Sequence, residues 1–93
     1  MSENTQIDQS TELHETVEKF VNLANELKNQ GKPVEFVNAA LMLASCTYTT
    51  YTMAGNEGYL KEAGVNKITA TYRQNLANLQ KAKKNQYNPD GKG

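Results

Sequence analysis

Residues 36–56 form an unbroken run of 21 positions without a charge, in a chain of which Asp, Glu, Lys and Arg make up 22%. Wound as a helix, such a run is apolar or small around most of its circumference. It must therefore be covered by the rest of the chain, by a second copy or by a partner. The pattern predicts a buried central helix that acts as the core of the protein.

Chain length limits how that cover can be supplied. Ninety-three residues make one domain, and a domain of this size buries only about 60–65% of the surface its unfolded chain exposes. Self-association is a natural way to add core. The uncharged run has the length of a membrane span, but Asn38, Ser45, Thr47, Thr49, Thr50, Thr52 and Asn56 interrupt it, and only residues 36–46 are strongly apolar. That pattern argues against a span. Residues 1–10 have no basic start, apolar stretch or small-residue cleavage pattern, so they do not read as a signal peptide. The sole cysteine, Cys46, excludes an internal disulfide framework and suits a reducing compartment. A cytoplasmic location is expected.

Three helical patterns follow one another. In the first, Leu13, Val17, Phe20, Ala24 and Leu27 recur at spacings of four and three, Thr11 offers an N-cap, and Gly31 supplies a stop. Pro33 then suits the first position of a second helix, since its missing N–H would have no partner there. Along that helix run two apolar rows, Val34, Val37, Leu41, Ala44, Tyr48 and Tyr51, and Phe36, Ala40, Leu43, Thr47, Thr50 and Ala54. The β-branched and aromatic residues 47–52 would also suit a strand, but Tyr48 and Tyr51 stay in step with Val37, which favours helix. Gly55, Gly58 and Gly64 mark a second connection. A third pattern, Val65, Ile68, Tyr72, Leu76 and Leu79, begins after it, with Arg73, Lys81, Lys83 and Lys84 toward its end.

With the helices placed, three stretches carry a resemblance: Phe20-Val21-Asn22-Leu23-Ala24-Asn25-Glu26-Leu27, residues 39–54, and Tyr72-Arg73-Gln74-Asn75-Leu76. Over about two thirds of its length the chain resembles a family of short bacterial proteins classed only as a domain of unknown function. The resemblance implies a small helical cytoplasmic protein and supplies no reaction or catalytic residue. Where the family has an Ala-Arg-Phe-Asn run in the second helix, this chain has Cys46-Thr47-Tyr48-Thr49. A function that depended on that arginine does not carry over.

No constellation points firmly to chemistry. His14 and Glu18 are four residues apart and share a helix face, but a catalytic zinc needs three protein ligands, and the chain has no other histidine. Cys46 has no charged neighbour in sequence to activate it, so it reads as a packed thiol. The glycines do not follow a strand and no Gly-Lys-Ser or Gly-Lys-Thr follows them, so no phosphate loop is indicated. No enzyme, metal or cofactor is expected.

Charge is distributed unevenly along this formally neutral chain: residues 1–35 hold seven acids and three bases, residues 65–93 one acid and six bases. Complementarity between the first and last helices, or between two copies, accounts for this more simply than a nucleic-acid footprint. The expectation is an all-α protein of three helices, 11–30, 33–54 and 65–84. Together they form a single domain over residues 11–84, with mobile ends at 1–10 and 85–93. Its long apolar central helix would make a homodimer or bind another protein through Phe36, Ala40, Leu43, Ala44, Tyr48, Tyr51 and Met53, with no role in a membrane. The alternative is a nucleic-acid accessory protein whose phosphate contacts are Arg73, Lys81, Lys83 and Lys84.

Overall fold

The computed structural model describes the backbone of residues 2–87 and the side chains of residues 10–87. Among the described residues it is all-helical and has no strand: α1 (Ser2–Asn29), α2 (Val34–Ala54) and α3 (Glu62–Tyr87). The chain divides into two compact units, residues 1–49 and residues 50–93.

The first unit contains α1, a tight turn and α2 as far as Thr49. Its turn is a Schellman cap. Gly31 takes a φ of 107°, its N–H donates to the Lys28 carbonyl at 2.9 Å, and the Lys32 N–H donates to the Leu27 carbonyl at 3.4 Å. These two bonds satisfy carbonyls that the end of α1 would otherwise leave open. The Val37 N–H donates to the Pro33 carbonyl at 3.0 Å, so Pro33 caps α2 from just outside and does not begin it. Burial gathers beside this turn, where Val37 is 6% exposed and Ala24 and Leu27 are half-buried.

The second unit contains the last turn of α2, the connection and α3. Gly55, with φ 84°, donates to the Tyr51 carbonyl at 2.8 Å, the single-bond cap that ends a helix in the left-handed region. Gly58 follows with an N–H bond to the Gly55 carbonyl at 3.4 Å, and a Cβ on Gly58 would overlap the Ala54 carbonyl. Among the described residues of this unit, Thr50, Ala54, Leu60, Gly64 and Ile68 are half-buried.

The structure corrects several expectations. The uncharged helix is not a buried core: of its residues, Val37 alone is buried among those described. Helical period records which side of a helix is apolar, not whether anything lies against that side. α1 begins at Ser2, which places Thr11 inside it and not at its cap; residues 2–10 contain neither Gly nor Pro to stop a helix. α3 begins at Glu62 and takes in Gly64, with the Val65 N–H donating to the Lys61 carbonyl at 2.9 Å. A lone glycine costs a helix only about 1 kcal/mol relative to alanine, and Glu62 in the first turn favours the positive pole. α3 also runs on to Tyr87. Of the expected end segments, Met1 and residues 88–93 lie outside the described residues.

The doubtful stretch of α2 stays helical through Ala54. Thr47 shows how the β-branched run is tolerated, since its hydroxyl donates to the Leu43 carbonyl one turn back at 2.9 Å. Thr16, Thr69 and Thr71 make the same bond within α1 and α3.

Candidate interaction surface

Each residue expected to make contact lies on the surface of α2, and the helix sorts them into rows. At about 100° per residue, Phe36, Ala40 and Leu43 fall along one row, while Ala44, Tyr48 and Tyr51 fall on the neighbouring row with Val37 and Leu41. Met53 does not join them: it lies about a third of a turn away from the first row. In the first unit, Phe36 is 59% exposed, Leu43 67% and Tyr48 69%, and Ala40 and Ala44 are exposed as well. In the second unit, Tyr51 and Met53 each present about half of their surface.

The rows of α1 and α3 show the same contrast. On α1, Ala24 and Leu27 are half-buried beside the turn, but Leu13, Val17 and Phe20 are exposed. On α3, Ile68 is half-buried, and Val65, Tyr72, Leu76 and Leu79 are exposed. The three-four spacing of these rows is plain in the sequence, yet it reads there as an inward face. Their availability for contact has no sequence signal separate from the one that marks a core.

The cations of α3 do not form one line. Arg73 and Lys84 are close to each other around the helix, with Lys81 and Lys83 roughly a quarter turn to either side. Lys83 places its Nζ 5.7 Å from the centre of the Tyr87 ring, a cation–π distance. All four are exposed. Among the described residues, no three of His, Cys, Asp and Glu come together as a metal-binding group. Nor is any described helix long and apolar enough to cross a membrane. Cys46 is exposed on α2, which corrects the expectation of a packed thiol.

Fold and surface together define a small all-helical protein with exposed amphipathic faces. The chain belongs to the DUF3144 family of proteins of unknown function, whose profile matches residues 13–87. The matched segment begins at the first apolar residue of the α1 row and ends with α3, so it takes in all of α2 and both turns. No curated protein and no solved structure matches the chain.

Proposed function

We propose that this protein is a non-enzymatic self-association module in which the exposed face of α2 is completed by a second copy of the chain. The observation that supports this is the exposure of Phe36, Leu43 and Tyr48 on a helix with no charged residue after Glu35. Each large apolar side chain moved from water into a contact contributes roughly 1.5–3 kcal/mol. Soluble monomers seldom leave an extended apolar surface open. Ala40 and Ala44, between the large residues, leave room for another helix to approach closely.

The test is Ala44→Glu. Ala44 is exposed and glutamate is a good helix former, so the variant is expected to keep its helicity while its molar mass in solution falls to that of one chain. A folded variant with the parent's assembled mass would remove α2 from the interface. The four cations of α3 occupy one half of the helix circumference, and the alternative reading is that they contact the phosphates of a nucleic acid. Binding to an oligonucleotide at low salt that is lost steeply toward physiological salt would move the reading to that alternative.

A further inference from the structure

The two terminal helices differ in charge as sharply as they agree in pattern. α1 (Ser2–Asn29) holds six acids, Glu3, Asp8, Glu12, Glu15, Glu18 and Glu26, against Lys19 and Lys28, a net of −4. α3 (Glu62–Tyr87) holds Lys67, Arg73, Lys81, Lys83 and Lys84 against Glu62, a net of +4. Each carries an apolar row of which only a minor part is half-buried, Ala24 and Leu27 on α1 and Ile68 on α3. The exposed parts are Leu13, Val17 and Phe20 on α1, and Val65 together with the run Tyr72, Leu76 and Leu79 on α3. The acids Glu12, Glu15 and Glu18 accompany the exposed part of the first row, and Lys81, Lys83 and Lys84 follow that of the second.

We infer that two copies of the chain join reciprocally, the exposed acidic part of α1 in each copy lying along the exposed basic part of α3 in the other. This rests on the self-association reading and adds the partner surface and its orientation. Like helices from two copies would bring net −4 against −4 or +4 against +4, whereas α1 against α3 brings opposite charges together twice in a two-fold assembly. Apolar rows supply the attraction, and the opposite net charges of the two helices choose the pairing.

The inference is tested by charge-swap complementation at low ionic strength, where exposed charges are least screened. One variant carries Glu12→Lys, Glu15→Lys and Glu18→Lys; the other carries Lys81→Glu, Lys83→Glu and Lys84→Glu. All six positions are exposed, so both variants are expected to keep their helicity. Each alone places like charges at both contacts, and its self-association is expected to weaken at least about tenfold. Mixed in equal amounts they offer opposite charges at both contacts, and a one-to-one heterodimer of parental stability is expected. Variants that each assemble as tightly as the parent would overturn this pairing while leaving self-association standing. Failure of the mixture to recover, with each variant folded and monomeric, would also overturn it. A parent chain that is monomeric throughout would remove both this inference and the reading it rests on.

Discussion

At Gly58 the connection after α2 passes so close to the end of the helix that the missing side chain is a requirement. An added Cβ would overlap the Ala54 carbonyl and lie 2.9 Å from the Ala54 Cβ. Because the nearest obstacle is backbone, it cannot swing aside. Gly58→Ala is therefore expected to destabilise the protein by about 1–3 kcal/mol, read as a lower urea midpoint; an unchanged midpoint would show that the connection can shift freely. Gly31 and Gly55 differ in kind. Nothing lies near either one, and their positive φ angles are what hold the place for glycine. At this scale the sequence marks the stops at Gly31 and Gly55 correctly, because both follow an apolar pattern that lapses. Gly58 and Gly64 look identical to them in sequence, although one is excluded from carrying a side chain by a carbonyl and the other sits inside a helix.

The helices themselves are legible because period and caps agree. The extent of α2 and the first turn follow from apolar rows closed by a glycine, and Tyr48 and Tyr51 resolve the choice between helix and strand for residues 47–52. The start of α3 is harder to read because Gly64 looks like a break. The nearest side-chain atoms to its Cβ position belong to Leu60, at 3.4–3.8 Å, an ordinary packing distance. Gly64→Ala should therefore lengthen a contact row and remove a flexible point at once. We expect the substitution to stabilise the protein by about 0.5–1 kcal/mol, seen as a higher thermal midpoint with more helical signal. A fall in the midpoint would mean that Leu60 cannot accommodate the methyl group. What the pattern could not disclose is the outward state of the rows, since Leu13, Phe36 and Leu43 have the spacing of core residues whether or not a neighbour covers them.

For the whole molecule, uneven charge and uncovered apolar rows have one consequence: the isolated chain leaves unused a large part of the apolar burial its sequence could supply. Small chains gain proportionately most from a second copy, because their own surface is large relative to the core they can build. Oppositely charged terminal helices would give such an assembly a preferred pairing, and the uncharged α2 would give it much of its contact. The central claim is that a second copy supplies the missing cover. It is tested most directly by the molar mass of the unmodified chain, followed by light scattering over a hundredfold range of concentration with helicity recorded in parallel. A mass of two chains is expected over most of that range, with dissociation at the dilute end to a single chain that keeps its helices. A mass of one chain at every concentration, with helicity undiminished, would contradict it.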